Sequence, residues 1–466
     1  MSERLGTAER PVRIAIIGAG PAGFYTAEAL LKQKELVSRI DFFNRLPTPY
    51  GLVREGVAPD HQSIKAVTRV YDKLASGEGV RYFGNVTFGS DLTHEDLKRH
   101  YDQIVYAVGA QSDRRMGIPG EDLEGSLPAT IFVGWYNGHP DYSDLQFDLC
   151  HERVLVVGNG NVAMDVARIL ATDPDDLATT DIADHALEAL RASKVREVVM
   201  LGRRGPAQAA FTTPELKEFG ELRGVDVIVD PADVELDELS AASLAGDKTA
   251  SRNVELLKAY AARGATGAPR RIVMRFLVSP VEVIGDERGR VKAVKIERNR
   301  LVQAPDGSLR PKGTGQFETI ETGMILRSVG YKGVPLPGVP FNEATGTIPN
   351  VAGRVTSQRD GSVVPGEYVV GWAKRGPSGV IGTNKPDAVA TVAAMIEDLP
   401  RLPEAEGDGD IEALLLERGV EYVTYADWKF LDAHETSRGA AQGRPRVKET
   451  RVEDMLEIIR RGRAEQ

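Results

Sequence analysis

Cysteine is nearly absent from this chain, which has one, Cys150, among 466 residues. One thiol cannot close a disulfide within the chain, form a dithiol redox pair or supply the four ligands of a structural zinc or iron–sulfur site. A self-contained disulfide reductase is therefore excluded. The low cysteine content favours a reducing compartment such as the cytoplasm, and we expect Cys150 to be a small buried hydrophobic residue.

An excess of positive charge and long apolar segments are also lacking. With 58 basic and 68 acidic residues the formal net charge is −10, which disfavours nucleic acid as a partner because phosphates bind basic surfaces. No apolar run approaches the roughly 18 residues of a membrane-spanning helix, and the polar N-terminus lacks the apolar core of a signal peptide. We therefore expect a cytoplasmic protein without membrane insertion.

Glycine, by contrast, is abundant, with 48 residues concentrated in short motifs. The first motif, GAGPAG at 18–23, follows the β-rich run 12–17 and opens a helix predicted over 21–34. In such a loop Gly18 permits the tight turn, Gly20 admits a pyrophosphate and Gly23 allows close packing of helix on strand. The helix N-terminus presents N–H groups to the phosphates. This context favours a dinucleotide site over the alternative, a structural glycine turn.

The residue expected to hold the ribose of this dinucleotide is unusual. An acid normally follows the glycine loop by about 20 residues, at the end of the second strand. Counting from Gly23 reaches Asn44, whose amide can bond a hydroxyl group but carries no charge. Asp41 is the nearest acid, and its place inside the strand predicts that its side chain points away from the cofactor.

A second strand–glycine–helix unit contains the loop GNGNVA at 158–163. The strand that follows it ends in Arg203 and Arg204 with no acid, and arginines at this position accept the 2′-phosphate of NADP. Their distance from Gly160 is about twice the usual spacing, which we attribute to an insertion over the acidic stretch 173–194. The alternative is a pair of solvated arginines at a strand end.

Two dinucleotide sites in one chain are most simply explained by a redox pair. A nicotinamide would give hydride to a flavin, which can then release electrons singly. Hydride transfer requires no nucleophile and no metal, because it depends on aligning nicotinamide C4 with flavin N5. We therefore expect orientation of the two cofactors to be the main catalytic contribution.

Longer strings extend the two loops over most of residues 12–395. They are IIGAGPAGFYTAEALL, TPYGLVREGVAPDHQSIK, VVGNGNVAMDVARIL, GRRGPAQAAFTTPEL, LRSVGYKGVP, GTIPNVAGR and GWAKRGPSGVIGTNK, with GRPRVK near the C-terminus. On these strings the chain resembles the adrenodoxin-reductase-type ferredoxin–NADP reductases, most closely those of actinobacteria.

The resemblance implies an α/β fold of two Rossmann-like three-layer dinucleotide-binding domains, with the NADP domain inserted into the FAD domain. It predicts an FAD domain made of residues 1–110 and 329–466 and an NADP domain over 111–328. An acidic, Pro- and Gly-rich linker at 400–410 is predicted to precede a helical tail.

The resemblance places FAD on the first loop and implies a set of contact residues: Gly18, Gly20, Ala22, Gly23, Asn44, Leu52, Val86, Trp372, Gly379, Val380 and Ile381. The family usually has an acid where this chain has Asn44, and this departure bears on FAD affinity. Gly379 would also approach the nicotinamide. A strand is predicted over 366–372, and for Trp372 at its end the alternative is an ordinary core aromatic.

The resemblance places NADP on the second loop, with contacts from Arg114, Asn159, Gly160, Asn161, Val162, Arg203, Arg204 and Glu215. Glu215 would lie near the nicotinamide ribose, and the alternative is a carboxylate that only stabilises the first turn of a helix. His61 would lie near the isoalloxazine and would either handle a proton or orient the route of the electrons. The alternative is a structural histidine. His61 and Glu215 are thus the candidate catalytic residues.

These features predict an NADPH-dependent flavoprotein, a ferredoxin–NADP(+) reductase that passes single electrons to a ferredoxin-type iron–sulfur protein. Ferredoxins are generally acidic, so a basic docking face is expected. The candidates for that face, with solvated strand ends as the alternative, are Arg270, Arg271, Arg275, Arg298 and Arg300. Two other functions stay open: a flavin diaphorase or quinone reductase with another acceptor, and a non-catalytic dinucleotide sensor.

Overall fold

The computed structural model describes residues 5–402, 405, 407 and 410–465. Residues 403, 404, 406, 408 and 409 of the predicted linker lie outside the described residues. The strands are β1 (Val12–Ile17), β2 (Ser38–Phe43), β3 (Val80–Phe83), β4 (Gln103–Tyr106), β5 (Ser112–Asp113), β6 (Ser126–Pro128), β7 (Arg153–Val157), β8 (Glu197–Leu201), β9 (Val225–Val229), β10 (Arg270–Arg275), β11 (Val278–Gly285), β12 (Val291–Gln303), β13 (Leu309–Glu321), β14 (Met324–Arg327), β15 (Tyr331–Lys332), β16 (Asn350–Val351), β17 (Arg354–Thr356) and β18 (Val363–Val369).

The helices are α1 (Pro21–Leu31), α2 (Leu52–Glu55), α3 (Gln62–Lys65), α4 (Thr68–Ala75), α5 (His94–His100), α6 (Ala129–Asn137), α7 (Asn161–Ala171), α8 (Pro174–Leu177), α9 (Asp184–Arg191), α10 (Thr213–Glu221), α11 (Glu238–Ser243), α12 (Lys248–Arg263), α13 (Trp372–Arg375), α14 (Asn384–Asp398), α15 (Ile411–Glu417), α16 (Tyr425–Ala440) and α17 (Val452–Ala464). Short 3-10 turns cover Pro140–Tyr142, Pro206–Gln208, Pro231–Val234, Ile381–Thr383 and Leu399–Arg401. Within the described residues, no helix combines the length and apolar character needed to cross a bilayer.

A seven-stranded sheet with the order β16-β17-β18-β4-β1-β2-β3 carries the first glycine loop. The strands from β18 to β3 are parallel, and only β16 and β17 are antiparallel. β1 is central and almost entirely buried, as expected for an apolar strand of a parallel sheet covered on both faces. We call this sheet and the helices packed on it the first unit.

A six-stranded, wholly parallel sheet with the order β6-β14-β7-β8-β10-β9 carries the second glycine loop. We call it, with its helices and the antiparallel sheet β11-β12-β13, the second unit. Its strands lie in the sequence between β4 and β18 of the first unit. The predicted α/β fold, with one Rossmann-like unit inserted into the other, is therefore confirmed. Where the chain crosses between units, β5 pairs with β15.

Some local predictions differ from the structure. The strand predicted over 366–372 ends at Val369, because Gly371 turns with φ +69° and Trp372 begins α13. The prediction that Cys150 is buried is wrong. Its side chain is exposed in the loop before β7, where its backbone N–H donates to Asp148 at 3.0 Å, so a polar turn decides its position.

The C-terminal helices complete the first unit. Trp428, Leu431 and Met455 are buried in the same core as α1 and β1. The segment 441–451 between α16 and α17 then reaches the second unit, where Arg444 donates hydrogen bonds to the carbonyls of Thr180 and Ile182. The tail therefore connects the two units as well as covering the first.

Candidate redox site at the two glycine loops

The first glycine loop closes tightly between β1 and α1. Gly18 has φ +105°, and a Cβ at this position would lie 2.5 Å from the carbonyl oxygen of Ala107. A Cβ on Gly23 would lie 2.5 Å from the Gly18 carbonyl oxygen. No described side chain caps the helix at Gly20, so N–H groups of the first turn are left to bind an anion. These features fit the pyrophosphate of a dinucleotide.

Asn44 holds this loop in place through both ends of its amide. Oδ1 accepts from the Ala19 N–H at 3.3 Å, and Nδ2 donates to the carbonyls of Leu46 and Thr48, each at 3.0 Å. A carboxylate could not donate to those two carbonyls. The structure therefore explains the amide at this position, which both accepts and donates hydrogen bonds that shape the loop.

Asp41 is turned away from the loop, as its place in the strand predicts. Its carboxylate accepts from Arg81 at 2.8 and 2.7 Å and from the Tyr101 hydroxyl at 2.6 Å. This ion pair occupies the Asp41 carboxylate, which is therefore not free to take the place of Asn44.

The other residues predicted to contact FAD fall into two groups. Leu52 is 40% exposed and Val380 is 59% exposed, so both apolar side chains are accessible to a bound group. Val86 and Ala22 are buried in the hydrophobic core, while Ile381 is half-buried and Gly379, with φ +80°, is exposed.

Trp372 lies beside the chain crossing. Its ring is half-buried and packs on Tyr331 with the ring centroids 5.2 Å apart, and its Nε1–H donates to the Ser378 carbonyl at 3.2 Å. The preceding Gly371 packs so closely on α1 that an added Cβ would lie 2.6 Å from the Cβ of Ala22. The Trp372 side chain therefore lies beside α1 and is not enclosed in the core.

The second glycine loop repeats the geometry of the first. Gly158 has φ +129°, and a Cβ there would lie 2.2 Å from the Ser328 carbonyl oxygen. Gly160 faces open space, with no described atom within 4 Å of a Cβ. Asn161 begins α7 and its Oδ1 accepts from the Thr212 N–H at 2.8 Å, which ties the loop to the segment before α10.

The remaining residues of the predicted NADP set lie around this loop. The Asn159 carbonyl accepts from the Ala210 N–H at 3.2 Å, and Val162 is half-buried on α7. Arg114 lies at the chain crossing, where its backbone N–H donates to the Gly330 carbonyl at 3.0 Å and its guanidinium is exposed.

Arg203 and Arg204 follow β8 directly. Neither guanidinium has an acidic partner within 4.0 Å among the residues that the structure describes. Burial and repulsion from Arg203 lower the pKa of Arg204. Two adjacent cations without an acidic partner among the described residues are able to bind a phosphate group.

His61 and Glu218 bring the two units into contact. His61 Nε2 lies 2.8 Å from Glu218 Oε2 and 4.0 Å from Glu215 Oε2, and its Nδ1 lies 4.0 Å from Asp165 Oδ1. Glu215, in the first turn of α10, was predicted from the sequence, whereas Glu218 was missed. Their i, i+3 spacing, which puts both on one helix face, is the signal that could have found it.

The protonation of this cluster is finely balanced. Burial lowers the pKa of His61, but the bond to Glu218 and the charges of Asp165 and Asp60 outweigh it, so the net pKa is raised. Burial and the Asp165 charge raise the pKa of Glu215 to about 7, while the bond to His61 lowers that of Glu218. Neighbouring groups with pKa values pushed apart are typical of sites that hold or move a proton.

The predicted docking arginines do not share one free face. Arg270 and Arg271 lie at the start of β10, and Arg275 lies at its end. Arg271 pairs with Glu197, Arg275 with Glu318 at 2.8 Å and Arg298 with Asp233 at 2.8 Å, whereas Arg300 is exposed on β12. Three of the five arginines are thus engaged in ion pairs with acids of this chain.

The sequence of this chain is similar to those of known proteins. Residues 12–212 match the family model described as pyridine nucleotide-disulphide oxidoreductase. The chain is 48% identical over 464 residues to NADPH-ferredoxin reductase FprA of Mycobacterium tuberculosis, covering 96% of this chain and 99% of that protein. It is 41% identical over 460 residues to the mitochondrial NADPH:adrenodoxin oxidoreductase of Arabidopsis thaliana, covering 96% and 95%.

A solved structure, that of Mycobacterium tuberculosis FprA in complex with NADPH, matches with a TM-score of 0.91 and 47% identity. The match covers 97% of this chain and 100% of that one. The chain therefore belongs to the adrenodoxin-reductase-type ferredoxin–NADP reductases.

Proposed function

We propose that this chain is an NADPH–ferredoxin reductase that binds FAD on the first glycine loop and NADPH on the second. The observation that carries the proposal is the pair of strand–loop–helix sites, of which only the second is followed by two arginines without acidic partners. The two relatives described above are named NADPH-ferredoxin reductase and NADPH:adrenodoxin oxidoreductase, which supports this reaction. The electron acceptor is a ferredoxin-type iron–sulfur protein.

The chain's own residues mainly bind and orient. Bound FAD supplies the exchange between a two-electron hydride and single electrons. Asn44 holds the first loop in shape, and the exposed apolar side chains of Leu52 and Val380 would exclude water from a bound flavin. Arg203 and Arg204 would hold the 2′-phosphate of NADPH and so help to orient the nicotinamide.

His61 is positioned to hold a proton beside this reaction. Its Nε2 lies at hydrogen-bonding distance from Glu218, and both groups lie at the boundary between the two units. Because the net pKa of His61 is raised, the imidazole carries its proton over a wider pH range than a free histidine. A cation at this position would supply positive charge to a flavin bound nearby.

The predicted domain limits follow from the same assignment. We propose an FAD domain of residues 1–110 and 329–466 and an NADP domain of 111–328. The pairing of β5 with β15, which sets the two chain crossings side by side, supports boundaries at these positions. The exposed free thiol of Cys150 supports the cytoplasm as the location, because exposed thiols persist in a reducing compartment.

The test is steady-state reduction of a ferredoxin by NADPH and by NADH. In Arg203→Ser and Arg204→Ser variants we expect KM for NADPH to rise about 10- to 100-fold with kcat nearly unchanged, since a charged hydrogen bond contributes roughly 1.5–3 kcal/mol. The matched control is Arg252→Ser, which removes an exposed arginine of α12. NADPH and NADH used equally well by the unmodified enzyme would contradict the proposal, and electron transfer to quinones but not to ferredoxins would favour a diaphorase.

A further inference from the structure

Arg168 is a deeply buried cation at the boundary between the two units. It is 1% exposed and lies on α7, two turns after the second glycine loop. Nε and Nη2 donate to the two carboxylate oxygens of Asp60 at 2.8 and 3.0 Å, and Nη2 also lies 2.9 Å from Asp165. A guanidinium is buried at this depth only where acids pair with it.

The third guanidinium nitrogen faces α10. Nη1 of Arg168 lies 3.3 Å from both Glu215 Oε2 and Glu218 Oε2. His61, Glu215 and Glu218 are close enough together to hold a metal ion, but here the guanidinium supplies the positive charge between the two glutamates. A lysine could not reach all these carboxylates, because its single ammonium lacks the planar fork of donors.

Arg168 thereby fixes both ends of the contact between His61 and Glu218. On the first unit it holds Asp60, the residue before His61, by a bidentate bond. On the second unit it holds Glu218 itself. The imidazole and the carboxylate of this 2.8 Å contact come from separate units, and the guanidinium binds Glu218 directly and His61 through its neighbour Asp60.

The charge of Arg168 also acts on the titrating groups. The cluster combines four carboxylates, Asp60, Asp165, Glu215 and Glu218, with one imidazole. The positive charge of Arg168 lowers the pKa of His61 and that of Glu215. Removing it should therefore make both groups hold a proton to higher pH, in addition to loosening their geometry.

We propose that Arg168 is a positioning residue for hydride transfer from NADPH: it fixes His61 against Glu218 across the unit boundary and sets the pH range in which the cluster keeps its proton. The proposal deepens the proposed function and rests on it. Arg168 contacts neither the flavin nor the nicotinamide in this scheme and acts through His61.

The first test measures anaerobic flavin reduction by NADPH from about pH 5.5 to 9 in the FAD-loaded enzyme. In Arg168→Gln we expect the midpoint of the pH profile to rise by roughly one unit and the rate to fall about tenfold. Arg168→Lys keeps the charge but loses the fork, so the rate should fall with a smaller shift of the midpoint. The control is Arg444→Lys, a buried arginine that joins the two units through Thr180 and Ile182.

The second test does not depend on turnover. Histidine NMR of labelled enzyme follows the titration of His61, whose signal is identified by its loss in His61→Gln. We expect its pKa to rise in Arg168→Gln and to fall in Asp60→Asn, because the Asp60 charge raises it and the Arg168 charge lowers it. If Arg168→Gln does not fold, the fall expected in Asp60→Asn still tests the contact by which Arg168 holds the first unit.

An unchanged His61 titration in both variants would overturn the proposal. A changed thermal stability with an unchanged pH profile would also overturn it, because that result marks a merely structural role of Arg168. If NADPH does not reduce the flavin of the unmodified enzyme, the proposed function fails, and the NMR titration still decides the role of Arg168.

Discussion

Lys448 should make the protein more stable at pH 9 than at pH 7. Its side chain is buried between the two units, where Nζ donates to the carbonyls of Arg54 at 2.9 Å and Asn137 at 3.0 Å. Asp181 lies 3.8 Å away but is shared with Lys65, which bonds to it at 2.8 Å. Burial outweighs the attraction of Asp181 and lowers the pKa of Lys448 to about 7.

The size of the effect follows from proton linkage. In the unfolded chain the same lysine has its ordinary pKa of about 10.4. Between these two values the unfolded state binds more protons than the folded state, so the free energy of unfolding rises with pH, and between pH 7 and pH 9 the gain is about 2 kcal/mol. Below the folded-state pKa the contribution no longer changes with pH.

The assay is urea unfolding of the intact protein and of Lys448→Met at both pH values. Methionine has a similar length and no charge, so the variant should lack this gain while other titrating groups contribute equally to both proteins. The control is Lys98→Met, an exposed lysine of α5, which should keep the full gain. The same pH dependence in the unmodified protein and in Lys448→Met would refute the reasoning.

Two further perturbations address the glycine loops. Asn44→Asp should cost about 1–3 kcal/mol in urea unfolding and release FAD more readily, because a carboxylate cannot donate to the carbonyls of the 46–48 loop; tighter FAD binding would contradict this. Gly158→Ala should lower the melting temperature, since the new Cβ meets the Ser328 carbonyl, whereas Gly160→Ala should keep the melting temperature and weaken NADPH binding. Equal melting temperatures of these two variants would contradict the assignment.

The parts of the fold that sequence predicted well are those specified by local chemistry. The strand 12–17 is observed at the predicted residues, and the glycines after it have the tight geometry that their spacing requires. Helix ends were less accurate, since the helix predicted over 21–34 ends at Leu31. Nothing local distinguishes the last turn of an amphipathic helix from the loop that follows.

The parts that sequence did not predict depend on contacts between distant residues. Glu218 lies 157 positions from His61 and in the other unit, so no spacing rule links them. Arg168 appears in the sequence as one charged residue of an apolar helix. Its burial follows from the docking of the two units, which packs Asp60 against α7.

The tail and Asn44 show the same limit. The segment 441–451 carries no motif of known chemistry, yet it bonds to both units through Arg444 and Lys448. Asn44 departs from the family's acid, and only the structure shows the two carbonyls to which its amide donates. A residue type alone does not reveal which hydrogen-bond donors its surroundings require.

The central claim is that NADPH, bound through Arg203 and Arg204, reduces a flavin held on the first glycine loop. The most direct measurement is an anaerobic titration of the purified protein with NADPH, following the flavin absorption band, with NADH as the control. The account predicts bleaching of the band by about one equivalent of NADPH and far weaker bleaching by NADH. A flavin band that NADPH does not bleach, or equal bleaching by both nucleotides, would contradict it.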